Sequence, residues 1–152
     1  MYYDLFASKK AEGFSPAKPV KFKKGGSEED NKKIARSRTQ VLLDPLDSGK
    51  MTIDTATLQV AKDNDIAVAI TFRQFLVAGK FKRIRLIVAY RKLIQICLKK
   101  KNRVILSTGA ENDHELRSPE QLIAFGVFLG LTRQQAKWAI SKAPEYVMEA
   151  TK

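Results

Sequence analysis

Residues 66–72 read IAVAITF, a nearly unbroken apolar run rich in β-branched side chains. A strand wetted on one face alternates apolar and polar residues. A strand covered on both faces does not, and that is the pattern of parallel sheets. This segment therefore restricts the chain more than any other, because it demands helices layered on a buried sheet. The flanking pattern agrees: strands are predicted at residues 2–6, 40–43, 66–72 and 103–107, with helices between them. Such alternation gives an α/β fold with a mostly parallel sheet and surrounding helices. An eight-unit barrel takes about 200 residues or more. With 152 residues, a barrel-like sheet of the TIM-barrel-related kind must here be trimmed or incomplete. The length fits one domain over residues 1–152.

Charge is the second constraint. The chain holds 28 Lys and Arg against 16 Asp and Glu, for a formal net charge of +12. Eleven of the basic residues and none of the acidic ones fall within residues 73–103. A block without internal counter-charge points to a polyanionic partner. Most of the block is a predicted helix at residues 80–101, where Leu86, Tyr90, Leu93 and Cys97 form a core-facing stripe at i, i+4, i+7 and i+11. Lys82, Arg85, Lys92 and Lys99 fall on a different, cationic face. Such a face neutralises phosphates or rests on an anionic membrane surface. The plain alternative is a solvated face, with Lys99, Lys100 and Lys101 offsetting the helix dipole.

Local signals place the remaining elements. Residues 8–26 hold two prolines, three glycines and six lysines. They read either as a mobile basic loop or as a loop with a brief strand where Val20 and Phe22 alternate with lysines. Ser27 caps a basic helix at residues 28–38, and residues 46–52 read as a polar connection. Asp54 or Thr52 caps the next helix. Ser118 with Pro119 starts a largely apolar helix that Gly130 ends, and Thr132 with Gln135 forms a capping box for the next. Lys142-Ala143-Pro144 breaks that helix, and a terminal helix follows.

In parallel α/β folds, working loops follow the carboxyl ends of strands. The loop STGAENDHELRSP, the segment from Asp44 to Lys50, and Arg73 all occupy such places. Glu111, Asp113, His114 and Glu115, with Asp4 and Asp44 at other strand ends, are the only carboxylate and imidazole cluster in view. His114 is the single histidine, whereas metal hydrolases usually assemble several. Ser107 and Thr108 have no nucleophile elbow and no second histidine as base. Cys97, the single cysteine, lies on the apolar stripe and reads as a core thiol. No phosphate-binding glycine loop is present. No catalytic residue and no metal ligand set is therefore assigned. Arg117, one residue before a helix cap, can bind a phosphate bidentately or tie the loop to Glu111, Asp113 or Glu115.

The run ILSTGAENDHELRSPEQLIAFGVFLGLTRQQAKWAIS resembles the ribonuclease P protein component 3 family of archaea and eukaryotes. The matching residues are Ser107, Ala110, Leu116, Arg117, Pro119, Gly130, Leu131, Ala136, Lys137 and Ser141. Asn31-Lys32, the strand LLDP, Ile53-Asp54 and Tyr3-Asp4-Leu5 resemble its earlier portions. Two features depart from the family. The stretch between the first strand and the helix at 28–38 is collapsed into residues 8–26, and Thr55 stands where the family commonly has a histidine.

The resemblance implies a barrel-like subunit of ribonuclease P, the enzyme that removes the 5′ leader of precursor tRNA. It implies a non-catalytic role supporting a catalytic RNA, with Mg2+ required by the RNA-based holoenzyme and none by the protein. The implied partners are the ribonuclease P RNA, the component 2 (Pop5-like) subunit, other ribonuclease P proteins and, indirectly, precursor tRNA. No membrane partner is implied. The location is cytoplasmic for an archaeal chain, nuclear for a eukaryotic one. The expected RNA contacts are Lys32, Lys50, Arg73, Lys82, Arg85, Lys92, Arg117 and Lys137. Two other readings stay open: a degenerate metal-dependent phosphoesterase using Asp4, Asp44, Glu111 and His114, and a generic polyanion or membrane-surface binder using the helix at 80–101.

Overall fold

The computed structural model describes residues 1–150. In chain order its elements are β1 (Phe22–Lys24), α1 (Glu28–Ala35), β2 (Val41–Leu43), β3 (Leu46–Asp47), β4 (Lys50–Met51), α2 (Thr55–Asp63) and β5 (Ala67–Thr71). Then follow α3 (Phe72–Val77), α4 (Lys80–Lys100), β6 (Val104–Ser107), a 3-10 turn (Asp113–Glu115), α5 (Pro119–Phe128), α6 (Arg133–Ala139) and α7 (Lys142–Glu149). Four strands form a wholly parallel sheet in the order β1-β2-β5-β6, and β3 with β4 makes a separate antiparallel hairpin. The sheet does not close into a barrel; it is the trimmed α/β architecture that the strand count required.

The apolar run behaves as its composition dictates. All five residues of β5 are buried. Alternate side chains serve two cores. Leu42, Val68, Ile70 and Leu106 join the helices on one face. Val41, Leu43, Ala67, Ala69 and Ile105 form the other, where Ala143 and Val147 of α7 pack with Leu5, Phe6 and Val20. The second face is thus closed by the chain's own N-terminal segment and last helix rather than by further strands. Phe6 meets Phe22 of the edge strand edge-on, with ring centroids 5.1 Å apart.

Helix α4 presents Leu86, Tyr90, Leu93 and Cys97 to the core as its spacing requires, all of them buried. Burial pushes the Cys97 thiol up to about 12, so it is an inert core group. Capping follows the sequence too. Ser27 accepts from the Asp30 N–H, Asp54 from that of Thr57, and Ser118/Gln121 and Thr132/Gln135 form complete capping boxes.

Four local expectations are corrected. Residues 2–6 make no strand. Tyr2 forms one isolated bridge to Phe14, while Tyr3 N–H donates to Ile140 O and Ser8 N–H to Ala110 O. These acceptors lie at a helix end and in a loop, so no ladder propagates. The edge position belongs instead to β1, whose side chains are exposed. Residues 46–52 form the β3–β4 hairpin, and the strand expected to reach residue 72 ends at Thr71, where Phe72 opens α3. Finally, α7 begins at Lys142, so Pro144 lies in its first turn, where a missing N–H costs little. Thr151 and Lys152, which the terminal helix was expected to reach, lie outside the described residues.

Candidate nucleic-acid interface

Because β2, β5 and β6 are parallel, their carboxyl ends share one edge of the sheet. Two buried carboxylates sit there. Asp4 accepts hydrogen bonds from the Ser107 hydroxyl, the Thr108 hydroxyl and the Thr108 N–H, the last at 2.9 Å. Asp44, held at φ 47°, accepts from Thr71 N–H at 2.9 Å and Thr71 Oγ1 at 2.7 Å. Burial pushes the Asp44 carboxyl up to about 6, against the opposing pull of the Thr71 bonds and the Lys24 charge. Burial also raises the Tyr90 phenol, which donates to Thr71 O at 3.4 Å. Both carboxylates act as braces between neighbouring elements. Among the described residues, no group of three or more His, Cys, Asp and Glu side chains is placed to hold a metal ion. His114 is exposed, and the four residues of the phosphoesterase reading form no such group.

The loop after β6 is organised by Arg73, at the start of α3. Its Nε donates to Glu115 Oε1 at 3.0 Å, and its Nη2 lies 3.1 Å from Glu111 Oε2. Glu111 N–H donates to the same Glu115 oxygen at 2.9 Å. That backbone bond, followed by Arg73, holds the Glu115 carboxyl below its usual value. Arg73 was expected as a phosphate contact, but two acids already engage it. The alternative in which the acids tie down Arg117 is not the arrangement found. Arg117 donates to the carbonyls of His114 and Leu116 at 3.1 and 2.6 Å, and its guanidinium lies 5.2 Å from the Phe72 ring centroid.

The basic block divides into two classes. Arg73 binds the acidic loop. Arg83 donates to the carbonyls of Phe75, Leu76 and Ala78 at 3.1–3.3 Å, closing the open end of α3. Arg91 donates to Phe128 O at 3.1 Å and lies over that ring. Arg103 pairs with Asp65 at 3.1 Å and stacks on Tyr146 at 3.6 Å. The other seven cations of the eleven are Lys80, Lys82, Arg85, Lys92, Lys99, Lys100 and Lys101. Among the described residues their side chains make no ion pair. They line a helix that extends about 30 Å.

The hairpin gathers three of the expected contacts. Gly49, at φ 77°, turns between β3 and β4 so closely against α4 that a Cβ there would stand 3.3 Å from Lys82 Cγ and 3.6 Å from Arg85 Cβ. Only glycine adopts that conformation readily. The turn therefore brings Lys50 beside Lys82 and Arg85, all three exposed. Asn31 supports it from below. Its Nδ2 donates to Thr52 O at 3.0 Å, and its Oδ1 accepts from Gly26 N–H at 3.0 Å. Lys92 is on the same helix face, about 10 Å further along from Arg85. Lys32 is exposed on α1 and Lys137 half-buried on α6, and neither is brought into this cluster.

The outward side of α4 is not purely cationic, as the sequence had indicated. Phe81, Ile84 and Val88 are exposed by 75%, 57% and 64%, forming an apolar stripe at i, i+3 and i+7 between the lysines. Sequence reasoning missed this stripe and the hairpin. The Ser48-Gly49 pair between Leu46 and Met51 is the turn signal that would have located the latter. No helix among the described residues is long and apolar enough to cross a membrane.

Comparison with known proteins supplies the family context. Residues 25–152 match the family described as RNase P subunit p30. The chain is 33% identical over 104 residues to a protein of Archaeoglobus fulgidus named Ribonuclease P protein component 3, covering 68% of this chain and 51% of that one. It is 28% identical over 125 residues to the protein of that name from Methanosarcina barkeri, covering 82% and 52%. The chain thus spans about half the length of these relatives. Its fold is similar to a chain in a cryo-EM structure of archaeal ribonuclease P with mature tRNA. There the TM-score is 0.71 at 21% identity, covering 82% of this chain and 56% of that one. A crystal structure of an uncharacterized protein shares the fold at TM-score 0.63 and 8% identity, covering 86% and 34%.

Proposed function

The chain belongs to the RNase P subunit p30 family, and from that premise we propose that it is a compact, non-catalytic subunit of ribonuclease P. In this reading it binds the ribonuclease P RNA and supports that RNA in removing the 5′ leader of precursor tRNA. The observation that carries the reading is the division of the basic block. Its arginines, Arg85 excepted, are committed to internal bonds, and the remaining cations face outward without acids. Unpaired surface cations in such number repel one another and gain most from an external polyanion. Lys80 and Lys82 stand at the amino-terminal end of α4, where the helix dipole disfavours cations and favours phosphate. Lys50, Lys82 and Arg85 form the central contact, Lys92 extends it, and Lys32 and Lys137 make outlying contacts. Arg73 and Arg117 act by holding the loop after β6.

The stripe of Phe81, Ile84 and Val88 suits a protein neighbour, and the component 2 (Pop5-like) subunit is its proposed occupant. Other ribonuclease P proteins and precursor tRNA complete the assembly. Mg2+ in this reading serves the RNA, and the buried Asp4 and Asp44 carboxylates bond to hydroxyl and amide donors of the chain. The proposed location is the cytoplasm of an archaeal cell, or the nucleus if the source is eukaryotic.

Reconstitution tests the reading. Precursor-tRNA cleavage by the RNA should rise when this chain and component 2 are added, and the chain alone should cleave nothing. Cleavage by the protein without RNA would overturn it. The metal-dependent phosphoesterase reading is not favoured, because its ligands do not converge.

A further inference from the structure

The opposite end of the sheet carries a groove that the strand-end machinery does not use. It lies between the last turn of α4, the start of β6 and α6, and encloses about 320 Å³. Ligand clefts begin at this size. Leu98, Val104 and Leu131 form apolar walls, and Trp138 stands at the mouth, 54% exposed. Asn102 lines the groove and is more than nine-tenths buried. Its Nδ2 donates to Leu58 O at 2.8 Å, which fixes the amide's orientation, since a flipped amide would set two oxygens together. The Asn102 Oδ1 is left without a hydrogen-bond donor. That oxygen is itself enclosed by protein, so a ligand in the groove does not reach it. A second groove, sharing Leu98, Asn102, Arg103 and Trp138, continues from the first and brings Lys62 and Lys101 to the rim beside Asp65, which Arg103 engages.

These features combine into one recognisable chemistry. An apolar groove with an exposed indole at its mouth can stack a planar ring. Lysines outside the groove take a phosphate. We propose that this groove holds one unstacked nucleobase of a single-stranded RNA segment, with the adjoining phosphate on Lys62 and Lys101. Unpaired bases are the elements of RNA that proteins read by stacking and by hydrogen bonds to base edges. The proposal rests on the RNA-binding reading above and adds a second contact to it. Helix α4 connects the two, carrying Arg85 toward the strand-end edge and Lys101 toward the groove, so one RNA can engage both ends of that helix. An apolar peptide side chain would fill the walls equally well, but it brings no phosphate to the lysine rim.

Trp138 is the single tryptophan of the chain, so its fluorescence reports on the groove alone. The full chain is titrated with oligoadenylate, with an abasic ribose-phosphate chain of equal length, with AMP, and with duplex RNA. Oligoadenylate is expected to quench Trp138 at lower concentration than AMP, and the abasic and duplex chains to bind without quenching. Trp138→Ala should weaken oligoadenylate binding about 5- to 100-fold, Trp138→Phe should restore most of it, and neither should alter the affinity for the abasic chain. Equal quenching by the abasic chain, tighter binding of AMP, or an unchanged affinity in Trp138→Ala overturns the groove while leaving backbone binding through α4 intact. Failure of every RNA to bind the wild-type chain overturns the RNA-binding reading itself. Quenching by component 2 in the absence of RNA would assign the groove to a protein and would also overturn the proposal.

Discussion

The Arg73 guanidinium donates through Nε to Glu115 Oε1 at 3.0 Å, joining the end of β5 to the loop after β6 across 42 positions of sequence. The Glu115 side chain is 10% exposed and that of Arg73 32%, so the pair is partly shielded from water and salt.

Its signature is acid sensitivity. The Glu115 carboxyl lies below its ordinary value of 4.5 in the folded chain, chiefly through the Glu111 N–H bond and then through Arg73. A depressed carboxyl adds stability that is present above the unfolded value and is lost as pH falls through the folded one. Glu115→Gln should therefore unfold at lower denaturant than the wild type at neutral pH. The two should converge on acidification below about 4.5, the unfolded value. Parallel curves at all pH values would show that the pair contributes nothing through charge.

Asp44 predicts the opposite slope. Burial raises its carboxyl from 3.8 to about 6. The folded chain then holds a proton that the unfolded chain has released, so this group's contribution falls as pH rises from about 4 to 6 and stays unfavourable above. Asn at this position keeps an acceptor for Thr71 N–H and offers a donor to Thr71 Oγ1. Asp44→Asn should stabilise the protein by about 3 kcal/mol at neutral pH and by nothing near pH 4. Denaturant midpoints at the two pH values measure it, and destabilisation at both would show that the carboxylate charge itself is needed.

Asn31 and Gly25 support the hairpin base. A Cβ at position 25 would stand 2.5 Å from Asn31 Oδ1 and 2.7 Å from Pro45 Cα. Gly25→Ala must therefore displace the amide that holds Gly26 and Thr52. Asn31→Ala should cost about 2–4 kcal/mol from the buried partners it leaves unpaired. Thermal melts of the two variants should fall together, and the double variant should fall by less than their sum.

The stripe on α4 should answer to introduced negative charge without loss of fold. Phe81 and Ile84 are exposed, so Phe81→Asp with Ile84→Asp should leave the melting temperature within a few degrees of the wild type. The same change should abolish co-elution with component 2. Retained co-elution would move the protein interface elsewhere.

What could be read from the sequence was what is local. The Leu86–Tyr90–Leu93–Cys97 stripe, the Ser118 cap and the Thr132/Gln135 capping box are short-range patterns, and the structure has them where they were placed. Residues 2–6 had strand composition, but a ladder needs a partner with open backbone groups, and the partners were a helix end and a loop. The β3–β4 hairpin escaped because two-residue strands carry no period. The division of labour among the cations was invisible for another reason. Arg83 and Arg91 bond to backbone carbonyls of Phe75, Leu76, Ala78 and Phe128, and a carbonyl has no residue type to read. Sequence gave Arg73 and Lys82 equal standing, and only the folded loop separates them.

The most direct test is the salt dependence of RNA binding. The affinity of the wild-type chain for the ribonuclease P RNA is measured across a range of salt concentrations, beside Lys50→Ala/Lys82→Ala/Arg85→Ala. If these three side chains neutralise phosphates, the slope of log affinity against log salt should lessen by about 2 to 3 in the triple variant, with the denaturation midpoint unchanged. An unchanged slope, or a flat dependence in the wild type, would contradict the account.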